Sequence, residues 1–286
     1  MKKLIVLLAF LVAGLSELLI NPSYGQPFRG DPIKPLPQVN KEFLVVAHIV
    51  RNGIGEPGIT STDISSVLNQ VNTAFAPIGV SFKLCQVDFI NNFQYDSLNG
   101  IGPSVNSLIV DYMKEVFVQY NIERRINMYF MTEFINAYKP YCGFASGGGL
   151  TSTSKNRGIV IKKGCNDAIT VGHEFGHFLS LPHTFEGHGT ELVDGSNCDT
   201  AGDQVCDTPA DPYEEGAADN YYNSETCTFK FNGKDANGQF YDPDLGNIMS
   251  YYGSCVCLKF SNGQLKKMAD YYLDYIKSNP GVSIAW

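Results

Sequence analysis

Most of the histidines in this 286-residue chain lie in one short segment, where they could bind a metal ion. Four of the five histidines fall within residues 173–188. His173 and His177 are four residues apart, so an α-helix would present both imidazoles on one face. Glu174 completes the arrangement H-E-x-x-H, in which two histidines bind zinc and the glutamate serves as general base. The segment therefore predicts a zinc-binding helix.

His183 is a third candidate ligand. Pro182 would end the helix, so the chain could turn back and bring His183 to the metal. Three neutral imidazoles leave the fourth position of a tetrahedral zinc ion to water, which is a catalytic rather than a structural geometry. Zinc lowers the pKa of that water to about 7, and Glu174 could take its proton as it attacks a carbonyl carbon. We expect His188 to be a loop residue and His48, in an apolar strand, to be a core residue.

Two alternatives for this segment stay open. The helix could carry its histidines by chance, since H-E-x-x-H alone occurs in unrelated proteins. The third ligand could instead be a downstream glutamate such as Glu191, as in another class of zinc peptidase. The density of histidines disfavours the first alternative. The offset of His183 from the H-E-x-x-H motif disfavours the second.

The composition fits a globular protein and argues against nucleic acid as a partner. Apolar residues make up 44% of the chain and charged residues 17%, which provides a core but too little charge for a disordered tail. The 29 acidic residues outnumber the 21 basic residues, and the net charge is −8. Binding to nucleic-acid phosphates needs a basic surface, which this chain lacks.

The N-terminal segment has the pattern of an export signal. A basic start is followed by an apolar stretch, and small residues precede Gln26. The pattern predicts a signal peptide over residues 1–25 and a secreted protein, with periplasm or cell surface as alternatives. The apolar run is shorter than the ~20 residues of a membrane span, so we expect no membrane association after cleavage. A proline-rich leader over 26–41 would precede a catalytic domain over 42–286.

Apolar periodicity predicts an α/β upper subdomain over residues 42–183. Strands are predicted over 43–50, 80–90, 126–131 and 158–162, and helices over 62–76 and 104–120. Ser61 or Thr62 could cap the first of these helices. Strands that alternate with helices favour a mixed, mostly parallel twisted sheet. A last helix, capped by Ser261, is predicted near the C-terminus.

Residues 184–286 form a predicted lower subdomain of different character. Between residues 186 and 257 the chain is rich in Gly, Asp, Asn, Tyr and Cys, with little periodicity. Five of the eight cysteines fall there, and an even number of cysteines in an exported chain predicts disulfides rather than a Cys-based zinc site. We expect all eight cysteines to be paired and disulfides to staple this loop-rich region. The connectivity stays open.

Further motifs follow the histidine segment. From His173 to Phe185 the chain reads H-E-x-x-H-x-x-S-x-x-H-T-F, and residues 202–209 read G-D-x-V-x-D-T-P. Residues 247–251 read N-I-M-S-Y, and residues 260–268 read F-x-x-G-Q-x-x-x-M. Together these motifs resemble those of the metzincin metallopeptidases, and specifically of the pappalysin-like group. The specific motifs cover residues 167–268.

The resemblance implies a role for each residue of the zinc site. The zinc ligands would be His173, His177 and His183. Glu174 would be the general base, and Met249 would form an apolar floor beneath the metal. Tyr251 would reach toward the metal, where its phenol could hydrogen-bond the developing oxyanion. The implied cofactor is one catalytic zinc ion.

The resemblance also concerns positions around the zinc site. The group binds calcium after the zinc helix, and Asp203, Asp207 and Thr208 offer hard oxygens for it, unless they form a solvated acidic loop. The motif glycine that ends the helix is Ser180 here, and a left-handed conformation costs a non-glycine residue about 1 kcal/mol. Relatives that cut before Arg or Lys carry acidic residues after the methionine turn. Residues 252–254 have none, so a preference for basic residues is not carried over.

The resemblance implies a secreted zinc endopeptidase, with the zinc in a cleft between the upper and lower subdomains. An extended peptide or protein segment would lie antiparallel to an edge strand, whose predicted rim is residues 143–150. A catalytically inactive binding protein on the same fold is the alternative. The intact ligands and Glu174 disfavour it. A monomer is the favoured oligomeric state.

Overall fold

The computed structural model describes residues 35–100, 113, 115–136, 141–145, 149–151 and 157–279. The predicted signal peptide and most of the predicted leader lie outside these residues, as does much of the helix predicted over 104–120. No helix within the described ranges combines the length and the apolar character needed to cross a membrane.

A five-stranded sheet forms the centre of the predicted upper subdomain. The strands of the described residues are β1 (Lys41–Val50), β2 (Val80–Ile90), β3 (Ser97–Gly100), β4 (Ile126–Met131), β5 (Glu133–Asn136), β6 (Gly143–Ala145), β7 (Ile159–Lys162), β8 (Tyr222–Asn223) and β9 (Thr228–Phe229). The main sheet has the order β2–β1–β4–β7–β6. All neighbours are parallel except β6, which runs antiparallel to β7 at one edge. This confirms the predicted mixed, mostly parallel sheet.

Two small sheets accompany the main one. Strands β3 and β5 pair in parallel, and β8 and β9 form a short antiparallel pair in the lower subdomain. The sequence pattern predicted neither pair, because runs of two to four residues carry no readable alternation.

The structure describes five α-helices, and the three longest begin at side chains that cap them. The five are α1 (Ser61–Phe75), α2 (residues 115–120), α3 (Ala168–Phe178), α4 (Ala218–Tyr221) and α5 (Asn262–Ser278). The predicted cap of α1 was wrong, because Thr60 rather than Ser61 or Thr62 holds the extended conformation and pairs with Asp63 in a capping box. Ser261 caps α5 as predicted.

Aromatic side chains hold α3 against the sheet. Phe175 of α3 stacks on Phe82 of β2 with a centroid separation of 3.8 Å. Phe75 of α1 contacts Phe82 edge-on at 5.0 Å and Phe260, just before α5, at 4.9 Å. Burying each such side chain contributes about 1.5–3 kcal/mol. The cluster therefore fixes the position of α3 relative to β2, α1 and the start of α5.

Three disulfides join six of the eight cysteines. They are Cys142–Cys165, Cys198–Cys206 and Cys227–Cys255. Two of them lie wholly in the lower subdomain, as the predicted stapling requires. The expectation that all eight cysteines pair was wrong, because Cys85 and Cys257 are free and exposed. Cys85 lies on the edge strand β2 and Cys257 in the loop before α5, and neither position meets a second sulfur.

Candidate active site

Helix α3 carries two of the candidate ligands and ends beside them. Asp167 caps its first turn by accepting hydrogen bonds from the amides of Ile169 and Thr170. After the helix, Ser180 takes a left-handed conformation with φ of 79°. The carbonyl of Leu181 then lies 2.7 Å from Nδ1 of His177. The turn thus holds the second imidazole in place before the chain returns toward the helix.

The three imidazoles converge on one point. Nε2 of His177 lies 3.0 Å from Nε2 of His173 and 3.0 Å from Nε2 of His183. Nδ1 of His173 lies 2.7 Å from the carbonyl oxygen of Ile248, and Nδ1 of His177 lies 2.7 Å from the carbonyl oxygen of Leu181. In His173 and His177 Nδ1 therefore carries the proton, and their unprotonated Nε2 atoms face each other and Nε2 of His183.

A tetrahedral zinc ion fits this arrangement. Zn–N bonds of about 2.0 Å would place ligand nitrogens roughly 3.3 Å apart, close to the observed separations. Burial lowers the pKa of His173 to about 3 and lowers the pKa of His177 and His183, so all three imidazoles are neutral. Within the described part of the chain, these histidines are the one group of three or more His, Cys, Asp or Glu residues suited to a metal.

The side chain of Glu174 extends from α3 toward the edge strand β6. Its side chain is 4% exposed, and no hydrogen-bond partner meets its Oε2 atom among the described residues. A methyl group on Gly143 of β6 would lie only 3.0 Å from its Oε1 atom, so this glycine leaves room for the carboxylate. Burial raises the pKa of Glu174 to about 8. A carboxyl group in such a site can exchange a proton near neutral pH.

Met249 packs directly beneath α3. It is fully buried, and its Sδ atom would lie 2.5 Å from a methyl group added at Gly176. Its amide donates to Oδ1 of Asn247 at 2.9 Å, and its carbonyl accepts from the amide of Thr184 at 3.1 Å. The turn is thereby tied to the residue that follows His183.

Tyr251 lies against the ligands, two residues after Met249. Its ring centroid is 4.6 Å from that of His183 and 5.7 Å from that of His173. Phe185 packs on the same ring at 5.0 Å. Burial and the nearby Glu174 raise the pKa of Tyr251, so its hydroxyl keeps the proton that a hydrogen-bond donor needs.

The residues expected to bind calcium are only partly brought together. Thr208 Oγ1 lies 2.9 Å from both carboxylate oxygens of Asp203, and the amide of Val205 bonds Asp203 as well. Asp207 points elsewhere, because its two oxygens accept from the hydroxyl of Ser261 at 2.6 Å and the amide of Gly263 at 2.7 Å. Asp207 thus supports the start of α5, and the geometry gives the three-residue calcium site no support.

The remaining candidates lie apart from the histidine cluster. Glu191 is buried near Asp203 and Asp211, whose charges, after burial itself, raise its pKa to about 8. It is not a member of the metal-binding group, so the alternative with Glu191 as third ligand has no geometric support. His48 is 1% exposed and bonds Asn127 within the core, as expected of a core histidine.

A cavity beside His183 contains residues that sequence reasoning missed. It has a volume of about 530 Å³. Its lining comprises His183, Phe185, Glu186, Gly187, His188, Glu214 and Glu215. The sequence motifs pointed only to the positions after the methionine turn as specificity residues. The adjacent acidic pair at 214–215 was the available signal, but nothing in its spacing connects it with the metal ligands.

Comparison with known proteins agrees with this geometry. Residues 120–273, more than half of the chain, match the model of peptidase family M43, described as pregnancy-associated plasma protein-A. The chain belongs to this pappalysin family of metallopeptidases. The resemblance seen in the motifs is thereby confirmed, and the three histidines form a group that could bind the metal of a metallopeptidase.

Several proteins that are similar to this chain are named extracellular metalloproteases. The one from Podospora anserina is 27% identical over 184 residues, covering 58% of this chain and 55% of the relative, so the chain spans about half its length. The one from Sordaria macrospora is 25% identical over 249 residues, covering 81% and 74%. Mature mirolysin of Tannerella forsythia, solved in complex with a cleaved peptide, shares the fold with a TM-score of 0.56 and 18% identity, covering 81% of this chain and 91% of mirolysin.

Proposed function

We propose that this chain is a secreted zinc endopeptidase that cuts peptide bonds within extended segments. The observation that carries the proposal is the convergence of three imidazole Nε2 atoms, with that of His177 3.0 Å from each of the other two, beside the buried Glu174. Such an arrangement is repulsive without a cation and serves no packing purpose. The extracellular names of the relatives support the secreted location.

The protein residues would each perform one task in hydrolysis. When bound by the three histidines, zinc supplies a Lewis acid that polarises a carbonyl and acidifies water. Glu174 would accept the proton of the attacking water on its carboxylate and return it to the leaving amine. The hydroxyl of Tyr251 would donate to the oxygen that becomes negative in the transition state. Met249 would keep the underside of the ligands dry.

The substrate would bind as an added strand. Strand β6 forms the edge of the main sheet and lies against Glu174 through Gly143. A peptide running antiparallel to β6 would pair with its backbone, which needs an extended segment but little particular sequence. The cleaved peptide held by mirolysin supports peptide binding as the proposal for this chain.

The cavity beside His183 suggests which side chain fits. Three glutamates, at positions 186, 214 and 215, line it together with His183 and His188. Among the described residues, the lining of this cavity has several carboxylates and no lysine or arginine, and such a lining attracts a cation. We therefore propose that this cavity receives a basic side chain of the substrate, through residues other than those after the methionine turn.

Peptide cleavage by the wild type and by Glu174→Ala tests the proposal. Both proteins, loaded with zinc and checked for metal content, would be incubated with a mixed peptide library, and the cut sites read by mass spectrometry. We expect internal cuts from the wild type and at least a hundredfold slower cleavage by the variant, because a general base typically contributes about 10²–10⁴-fold. If neither protein cuts although both hold zinc, the chain is a binding module on a peptidase fold.

A further inference from the structure

Asp211 is a buried carboxylate outside the metal-binding group. It is 3% exposed, and both of its oxygens are occupied. Oδ1 accepts from the hydroxyl of Tyr252 at 2.6 Å and from the amide of Tyr213 at 3.1 Å, and Oδ2 accepts from the hydroxyl of Thr184 at 2.7 Å. All three partners can donate, which suits an ionised carboxylate, since that group only accepts hydrogen bonds.

The two hydroxyl donors directly follow residues of the candidate active site. Thr184 comes after His183, and Tyr252 comes after Tyr251. Asp211 therefore joins the segment with the third ligand to the segment with the candidate oxyanion donor. The amide of Thr184 also donates to the carbonyl of Met249 at 3.1 Å, so the two segments are linked twice.

The chemistry of this link exceeds what packing alone would need. No ion pair connects Asp211 to a cationic side chain in the described part of the chain. A buried carboxylate without a counter-ion is costly, and an apolar residue of similar size would fill the space more cheaply. The short O–H···O distances to Tyr252 and Thr184 are those of charge-assisted bonds, which fix direction as well as distance.

We propose that Asp211 is a positioning residue that sets the relative placement of His183 and Tyr251, acting through Thr184 and Tyr252. Like outer partners of metal ligands in other proteins, it would act on metal retention and turnover rather than on substrate affinity. This inference rests on the proposed function for its kinetic part only. The retention of metal is independent of peptide cleavage.

Three substitutions and one control test the proposal in the full-length chain. Asp211→Asn replaces one acceptor oxygen with an amide, and Thr184→Val and Tyr252→Phe each remove one donor. Tyr129→Phe is the matched control, since Tyr129 is also buried and its hydroxyl also donates at 2.6 Å, but to Asn121 in the upper subdomain. The measurements are zinc release to a competing chelator, the visible spectrum of the cobalt-substituted protein, kcat, KM and thermal unfolding.

We expect each of the three substitutions to speed zinc release or lower kcat by about 10–100-fold, with an altered cobalt spectrum and little change in KM. Thr184→Val and Tyr252→Phe combined should cost less than the product of their separate effects, because both act through one carboxylate. Tyr129→Phe should lower the thermal stability but leave zinc release, the cobalt spectrum and kcat unchanged.

The proposal would be overturned if zinc release, the cobalt spectrum and kcat of all three variants equal those of the wild type. Asp211 would then be a purely structural residue. If Asp211→Asn does not fold, the two donor variants decide the matter. If the wild type cuts no peptide, the proposed function fails, while zinc release and the cobalt spectrum still decide the role of Asp211.

Discussion

At Ser180 the chain adopts a strained backbone conformation that helps to form the candidate metal site. Its φ of 79° is the left-handed conformation that glycine adopts without strain. The same turn lets the amide of Leu181 donate to the carbonyl of Gly176 at 2.9 Å and presents the carbonyl of Leu181 to His177. The side chain of Ser180 is therefore tolerated at a cost, whereas the turn itself is needed.

Ser180→Gly should stabilise the protein. Removing the side chain relieves strain in the left-handed turn, against a small loss of chain entropy in the unfolded state, for a net gain of about 0.5–1 kcal/mol. Urea unfolding monitored by circular dichroism measures it. Ser66→Gly, in the middle of α1, is the control and should destabilise by about 0.5 kcal/mol. A destabilised Ser180→Gly would show that its hydroxyl contributes more than the strain costs.

The glutamates at 214 and 215 should decide which peptides are cut. Replacing both with glutamine removes two negative charges from the cavity beside His183. We expect kcat/KM for peptides with a basic side chain near the cut to fall by about tenfold or more, with less effect on neutral peptides. Cleavage of paired peptides that differ in that one side chain measures the change. Glu123→Gln, at an exposed position outside the cavity lining, should change neither. Equal losses on both peptides would contradict the specificity role.

At the scale of elements, the disulfide Cys142–Cys165 ties β6 to the approach of α3. Cys142 immediately precedes β6, and Cys165 lies three residues before α3 begins. Replacing both with serine should raise KM more than it lowers kcat, because β6 is a three-residue edge strand that would lose its anchor. Removing the bond should also cost about 3 kcal/mol of stability. Steady-state kinetics give both constants. The double serine variant of Cys198 and Cys206 should lower stability with KM unchanged.

A buried histidine links β1 to β4 and should make folding pH-dependent. His48 stacks on Tyr129 at 4.5 Å and bonds Asn127, while its Nδ1 lies 3.7 Å from Asp88 of β2. Burial lowers the pKa of His48 below its ordinary value, because the charged form is poorly solvated. The neutral ring therefore contributes its full stability above about pH 6.5, and that stability is lost as the pH falls below this value.

His48→Phe should flatten this pH dependence. The substitution keeps the ring stacked and removes the titrating group, and Asn127 Oδ1 still accepts from the amide of Ile122. Between pH 7 and pH 5, we expect the free energy of unfolding of the wild type to fall by about 1 kcal/mol more than that of the variant. Urea unfolding at several pH values measures the difference. His188→Gln is the control, and equal pH slopes in wild type and His48→Phe would contradict the prediction.

Elements with long apolar or alternating runs could be predicted from the sequence, whereas features that depend on tertiary contacts could not. Strands β2 and β4 begin and end at the predicted residues, because each is an uninterrupted apolar or alternating run between turn residues. The cap of α1 was predicted one or two residues too late, because Asp63 pairs with Thr60 rather than with Ser61 or Thr62. The candidate metal ligands could be proposed from the sequence because they lie on one helix and the turn after it. Asp211 and the acidic pair at 214–215 were not, since only tertiary folding of an aperiodic loop region brings them to the site.

At the scale of the whole molecule, calcium binding remains a prediction, now limited to Asp203 and Thr208. Calcium added to a calcium-free preparation should raise Tm by about 5 °C at a hundredfold excess over its dissociation constant. Asp203→Asn should abolish that rise. Asp207→Asn should lower the starting Tm, because it uncaps α5, but keep the response to calcium. Differential scanning fluorimetry measures each value. No response in the wild type would end the calcium prediction.

The carbonyl that holds His173 belongs to Ile248, 75 residues later in the chain. Met249, which packs under Gly176, also comes from that late segment. During synthesis, the histidine helix is therefore complete long before its metal site can be. A chain interrupted before residue 248 would have two ligands on a helix but no partner for the first imidazole and no floor. The proposed hydrolytic activity would therefore require the chain as far as Met249, and a nascent chain that ends earlier should not cleave peptides.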